Sequence, residues 1–196
     1  MHKRPASFLA NLHYVTPDVA RCAQPFFRGQ WDGILHGHGF ASVLNLRGEN
    51  QNAAWYHDEI EACAAHGCQH KNITLSSKRL PSRQTLIDIL DALQTLPKPL
   101  LIKCSGGADR TGLVSALFLL DQKGPEAMAE AQKHLRAFPY LHRPKPYQRW
   151  IAAFLDYYAN TNNTLPLSRW IGSFYSPEVF ATYLNDKGQG DHWMKD

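Results

Sequence analysis

Short β-like runs that alternate with helical stretches predict an α/β domain. Its core is a small central, mainly parallel sheet of four to five strands flanked by helices, with a helical C-terminal extension. Three observations carry this expectation. The runs Ser42–Leu46, His70–Leu75 and Pro99–Lys103 read as buried strands, each followed by a helical pattern. The composition, 44% hydrophobic and 19% charged over 196 residues, is that of a globular chain that can bury a core without disulfides or metals. The longest nearly apolar run, Leu113 to Leu120, falls far short of the roughly 20 residues that a spanning helix needs.

In chain order, Tyr14-Val15 and Val19 to Ala23 fit an edge hairpin, and a short helix from about Gly29 to His38 precedes the first strand. Trp55 to Ala65 is a helix that ends near Gly67. Ser82 is placed to cap the next one, in which Leu86, Ile89, Leu90, Leu93 and Leu96 form one apolar stripe. Gly112 to Gln122 is apolar nearly all round, which predicts a helix buried on most sides. Gly124 closes it, Pro125 suits the first turn of a helix over Glu126–Arg136, and a further helix is expected from about Pro146 to Tyr158. Asn160 to Thr164 reads as a linker, dividing residues 1–159 from an aromatic-rich extension over 160–196 with a helix start at Ser176-Pro177. The extension either packs back on the core, the favoured reading, or serves a membrane surface or partner.

A net charge of +4 with scattered basic residues gives neither the stripe nor the module of a nucleic-acid binder. It suits an anionic small substrate or a membrane surface, so peripheral membrane contact stays open. The basic start Met1-His-Lys-Arg-Pro5 is followed by no apolar stretch of the kind a secretory signal needs, and Cys22, Cys63, Cys68 and Cys104 are irregularly spaced. Together these predict a soluble, cytoplasmic chain with reduced thiols.

Chemistry concentrates in Leu100-Leu-Ile-Lys-Cys104-Ser-Gly-Gly-Ala-Asp-Arg110-Thr-Gly112. A buried strand delivers a cysteine, and a loop of Ser105, Gly106, Gly107 and Ala108 lets successive backbone N–H groups converge on one anion. The helix N-terminus adds unsatisfied donors and positive dipole. Cysteines in such settings have pKa values of roughly 3.5–7.5, so Cys104 is expected as a thiolate. Arg110 offers a planar charged fork for two phosphate oxygens, and the Thr111 hydroxyl is available to the sulfur.

The pattern Cys104-x5-Arg110 followed by Thr111-Gly112 resembles the signature loop of the cysteine-dependent protein tyrosine and dual-specificity phosphatases. Arg21-Cys-Ala-Gln-Pro25 and Val43-Leu-Asn-Leu-Arg47 resemble two upstream segments of the compact atypical dual-specificity type, in the expected order. The resemblance covers roughly residues 14–158 and implies hydrolysis of phosphate monoesters through a cysteinyl-phosphate, without metal or organic cofactor. It implies as substrate a phosphorylated protein or an anionic phospholipid, inositol or sugar phosphate. A phosphate-binding pseudophosphatase is the alternative.

Two positions depart from that pattern. Lys103 replaces the usual histidine before the nucleophile; on a strand it points away from Cys104, as a through-space charge or a snorkelling solvent contact. The loop after His70–Leu75 reads Ser76-Ser-Lys-Arg-Leu-Pro81 and lacks the aspartate that usually serves as general acid. Asp109 is the substitute, and the Cys-Ser-x-Gly-x-Asp-Arg-Thr order resembles that of the myotubularin lipid phosphatases. The other reading of Asp109 is a brace that accepts backbone N–H bonds.

Lys78 and Arg79 are candidates for a second phosphate or an anionic headgroup, or are ordinary loop charge. Gln148 and Arg149 fall where a late segment could position the hydrolytic water. Arg47 is expected to brace the site's rim, and Cys22 to be a buried small hydrophobe or a redox partner of Cys104. Cys63, His66, Cys68 and His70 match no zinc spacing, and no metal site is expected.

Overall fold

The computed structural model describes residues 10–161 and 164–194. The basic start Met1–Pro5 and the linker positions 162–163 lie outside the described residues. Five strands form one sheet: β1 (His13–Thr16), β2 (Val19–Cys22), β3 (Ser42–Asn45), β4 (Gln69–Asn72) and β5 (Leu100–Lys103), in the order β1-β2-β5-β3-β4. Only β1, hairpin-paired with β2, runs antiparallel; the β2–β5, β5–β3 and β3–β4 pairs are parallel. The three central strands β2, β5 and β3 are buried at every position, as strands covered on both faces must be.

Period-2 alternation divides the core. Ala20, Cys22, Val43 and Leu101 face α1 (Arg28–His38) and α2 (Ala54–Ala65), with Trp31, Ile34 and Leu35 packed on them. Val19, Leu44, Leu100, Ile102 and Cys104 face the opposite way, into a larger core built on α3 (Arg83–Thr95) and α4 (Asp109–Lys123). Ser82 caps α3 by accepting the Thr85 N–H at 3.0 Å, and the leucine–isoleucine stripe of that helix is buried.

Several boundaries differ from the sequence expectation. Helix α4 starts at Asp109 rather than Gly112, so the signature residues Asp109, Arg110 and Thr111 form its first turn. The expected helix over Glu126–Arg136 is a 3-10 turn (Pro125–Ala127) and a short α5 (Met128–Lys133). Helix α5 ends at Lys133, and the carbonyl of the next residue, His134, is taken by Arg21. A second 3-10 turn (Pro146–Gln148) precedes α6 (Trp150–Thr161), because the Gln148 side chain turns back to the Lys145 N–H. The strand expected to reach Leu75 ends at Asn72, after which Thr74 makes only an isolated bridge to Arg47.

The extension forms α7 (Leu167–Phe174) and α8 (Pro177–Asp186), the latter capped by Ser176. Trp170, Ile171, Tyr175, Phe180 and Leu184 are buried in the same core as α3, α4 and α6, with Phe154 and Tyr157 among their ring partners. Tyr175 is fixed at both ends: its hydroxyl donates to Pro81 O at 2.6 Å, and its carbonyl accepts from Arg83 Nε at 2.7 Å. The tail reaches back further still, with the Met194 N–H on Lys78 O at 2.7 Å. The fold thus makes α7, α8 and the segment after them a support for the 76–81 loop.

Candidate active site

Strand β5 ends by delivering Cys104 to the floor of a turn that joins it to α4. Cys104 is buried, 2% exposed, and its sulfur lies 3.9 Å from Thr111 Oγ1. What shapes the turn is the fate of its carbonyls. Ser105 O accepts the Gln24 N–H at 3.0 Å. Gly106 O and Gly107 O accept Asn11 Nδ2 at 3.2 and 3.0 Å, and Arg21 Nη2 donates at 2.8 Å to both Gly107 O and Ala108 O. All four carbonyls are drawn outward. In a trans peptide the N–H points opposite to the carbonyl of the same plane, so the N–H groups of Gly106, Gly107, Ala108 and Asp109 face away from these anchors. Ala108, the N-cap of α4, supplies no side-chain bond to the helix, leaving its first donors for an anion.

The tightness of the turn explains one glycine. Gly107 has φ +61°, and a Cβ there would sit 2.4 Å from the Ala23 nitrogen. Arg21, fully buried, is held by His134 O at 2.9 Å and lies 4.9 Å from the Tyr140 ring centre. Burial lowers its guanidinium to about 10, opposed by the Cys104 and Asp109 charges, so it remains a cation near neutrality. Beside it His134 is lowered to about 4, first by burial and then by Arg21, and His13 is lowered for the same two reasons.

Arg110 reaches across to the ends of β3 and β4, with Nη1 at 3.4 Å from both Leu46 O and Leu75 O. The Asp109 carboxylate is held by side chains of the late segment. Its Oδ1 meets His142 Nδ1 at 2.8 Å, and its Oδ2 accepts Gln148 Nε2 at 3.3 Å. The same Gln148 amide lies 3.2 Å from Ser77 Oγ, which joins the late segment to the 76–81 loop. On that loop Lys78 Nζ sits 5.9 Å from the Tyr147 ring centre, whereas Arg79 lines a cleft of about 360 Å³ with Leu80, Pro177, Glu178, Ala181, Trp193 and Met194. The two basic residues therefore look in different directions, Arg79 toward the tail.

Lys103 corrects the expectation of a solvent contact. It is fully buried on the α1/α2 face, ion-paired with the equally buried Glu59 of α2. Its Nζ donates to Gln24 Oε1 at 2.6 Å and lies 4.5 Å from the Trp55 ring centre. Burial pulls the ammonium down to about 8 while Glu59 opposes the shift. Arg47 joins the cluster, stacked 3.5 Å over Trp55 and donating to Gln24 Oε1 at 3.3 Å. Gln24 thus links this buried charge cluster to Ser105 O, the first peptide of the turn.

The strand faces also decide the cysteines. Cys22 packs in the α1/α2 core and Cys104 in the opposite one, so the two sulfurs point away from each other and a redox pair between them is excluded by direction. Burial raises the Cys22 thiol well above its ordinary range. His66 bonds Asp32 and His70 bonds Glu59, and among the described residues no group of three His, Cys, Asp or Glu side chains is disposed to hold a metal.

The mainly parallel sheet thus presents a cysteine in a turn whose carbonyls are bonded outward, followed by an arginine in the first turn of the next helix. Residues 32–124, which run from α1 through the turn and α4, match the tyrosine phosphatase family. Solved structures share the fold. The catalytic domain of the PP-IP phosphatase SIW14 from S. cerevisiae matches over 91% of this chain and 93% of its own, at 16% identity and TM-score 0.54. TpbA from P. aeruginosa matches over 78% and 90% at 19% identity and TM-score 0.59. The active form of Tk-PTP matches over 75% and 97% at 22% identity and TM-score 0.55. No curated protein matches at a significant level. No described helix is long and apolar enough to cross a membrane.

Sequence reasoning placed Cys104, Ser105 to Ala108, Asp109, Arg110 and Thr111 in one segment, and the structure brings them together in one turn. It did not find Asn11, Gln24, His142 or the role of Arg21. Arg21 and Gln24 carried a signal, since both lie in the Arg21-Cys-Ala-Gln-Pro25 segment and Arg21 is a charged residue inside an otherwise apolar strand.

Proposed function

We propose that the chain is a phosphate-monoester hydrolase that works through a cysteinyl-phosphate. The observation that carries this reading is the outward anchoring of four successive carbonyls, which leaves a ring of N–H donors over a buried sulfur. Such a cradle is complementary to a phosphoryl group whose three outer oxygens gain charge in the transition state. Cys104, as thiolate, attacks phosphorus and the P–O ester bond breaks opposite it. Arg110 and the turn N–H groups hold the outer oxygens, and Asp109 gives its proton to the leaving oxygen. Water then attacks phosphorus, the S–P bond breaks, and Asp109 recovers a proton from that water. Gln148, bonded to Asp109, orients that water. Thr111 donates to the departing thiolate. Neither metal nor organic cofactor enters either step.

His142 and Gln148 hold the Asp109 carboxylate, and Gln148 also reaches Ser77 on the 76–81 loop, which supports proton transfer over a binding-only role. The substrate class is a phosphorylated protein or an anionic phosphorylated small molecule. The PP-IP phosphatase name of SIW14 and the phosphotyrosine complex of TpbA represent these two classes among proteins of the same fold. All four cysteines are unpaired, which fits the cytoplasm.

The test is vanadate-sensitive release of phosphate from an aryl phosphate. Cys104→Ser is expected to abolish turnover while retaining phosphate binding. An inert parent that binds phosphate as well as the variant does would overturn the assignment. Asp109→Asn should slow alkyl phosphates by about 10²-fold or more and aryl phosphates far less, because aryl leaving groups scarcely need a proton. Equal losses on both would remove Asp109 from the acid role.

A further inference from the structure

Beside the turn, residues 136–145 form a stiff projection. The Leu141 N–H donates to Ala137 O at 2.9 Å and the His142 N–H to Arg136 O at 3.2 Å. Asn11 Nδ2 holds Tyr140 O at 3.2 Å, the same amide that binds Gly106 O and Gly107 O. The Tyr140 ring is clasped by His13, His134 and Arg21. Leu141 is held at φ +60°, a left-handed conformation that a branched residue adopts only when its surroundings impose it.

Despite this rigidity the frame turns its apolar side chains outward. Phe138 is 87% and Leu141 56% exposed. Around them Arg136, Arg143, Lys145 and Arg149 are exposed, and the sequence has no acidic residue between Glu130 and Asp156. On another side of the turn Phe26, 78% exposed, and Phe27 follow Gln24, whose N–H is bonded to Ser105 O.

We propose that the 136–145 projection docks the protein on an anionic lipid bilayer. Phe138 and Leu141 enter the interface, and Arg136, Arg143 and Lys145 pair with headgroup phosphates. Separate apolar prongs set among charges of a single sign match a bilayer, which offers a continuous apolar layer beneath a negative surface. A peptide groove would instead be concave and mixed in charge. The inference goes beyond the hydrolase reading and does not depend on turnover, since docking is measured without a substrate.

The full chain is sedimented with vesicles of phosphatidylcholine alone and of phosphatidylcholine mixed with phosphatidylserine. Binding is expected to the mixed vesicles only, and to weaken with salt. Phe138→Ser/Leu141→Ser should weaken it at least about tenfold, and Arg143→Gln/Lys145→Gln by about fivefold for each charge removed. Both variants should keep the parent's thermal midpoint, because the substituted side chains are exposed. Failure of the parent to sediment with anionic vesicles would overturn the proposal, as would a Ser/Ser variant of unchanged midpoint that binds as tightly as the parent. A phosphopeptide or acidic protein partner would give the first of these results. An inert enzyme that still docks would count against the hydrolase reading alone.

Discussion

Replacing Lys103 by methionine removes one half of an ion pair whose partners are both fully buried. Among the described residues, Glu59 would keep the His70 Nε2 contact at 2.8 Å as compensation. Breaking a buried pair in this way costs about 3–5 kcal/mol, because a charge stays behind without its counterion. Loss of the 2.6 Å bond to Gln24 and of the Trp55 contact adds about 1 kcal/mol each, partly offset by the packing of the new apolar side chain. The expected loss is therefore about 4 kcal/mol. Urea unfolding followed by tryptophan fluorescence measures it as a fall in midpoint at unchanged slope. Lys103→Met combined with Glu59→Gln removes both charges and keeps the amide near His70. It should recover at least about 2 kcal/mol of the loss, a coupling that the double-mutant cycle isolates. A single variant that loses under about 1 kcal/mol, or a pair no better than the single, would refute the account of Lys103 as a buried, paired cation.

The turn offers three further predictions. Gly107→Ala meets both a positive φ and a 2.4 Å clash with the Ala23 backbone, so phosphate binding and at least about 2 kcal/mol of stability should be lost; a variant with the parent's midpoint and affinity would contradict the geometry. Arg21→Met removes the guanidinium shared by the Gly107 and Ala108 carbonyls; turnover of an aryl phosphate should fall by about 10²-fold, whereas an unchanged rate would mean that Asn11 and the α4 backbone hold the turn without it. His134, lowered to about 4, binds fewer protons in the folded than in the unfolded chain between pH 6.5 and 4. Stability should thus fall as the pH drops through that window, by about 2 kcal/mol, and His134→Gln should flatten the fall in acid melts.

Local readings fared best where the physics is local. The leucine stripe of α3, its Ser82 cap and the Ser176-Pro177 start of α8 were legible because periodicity and capping act within a few residues. The misplaced start of α4 has the same origin. Gly106, Gly107 and Ala108 read as a loop, and nothing in their order says that the helix already begins at Asp109. The expected 126–136 helix ends early, at Lys133, where a distant competitor, Arg21, claims the next carbonyl, that of His134, 113 residues away.

The same division holds for the chemistry. The order of residues 100–112 by itself determined that a sulfur, a bulk-free turn and an arginine would share the end of one strand, since covalent adjacency and strand–helix geometry fix their neighbourhood. Alternation along β5 likewise determined that Lys103 would face away from Cys104. Only the tertiary structure decided which partners meet those groups: Asn11 and Arg21 on the turn carbonyls, 86 to 96 residues distant in sequence, His142 on Asp109, and Glu59 on Lys103. Such pairings depend on how helices and loops stack across the sheet. That stacking is set by the burial of whole faces, and no short window of sequence contains it.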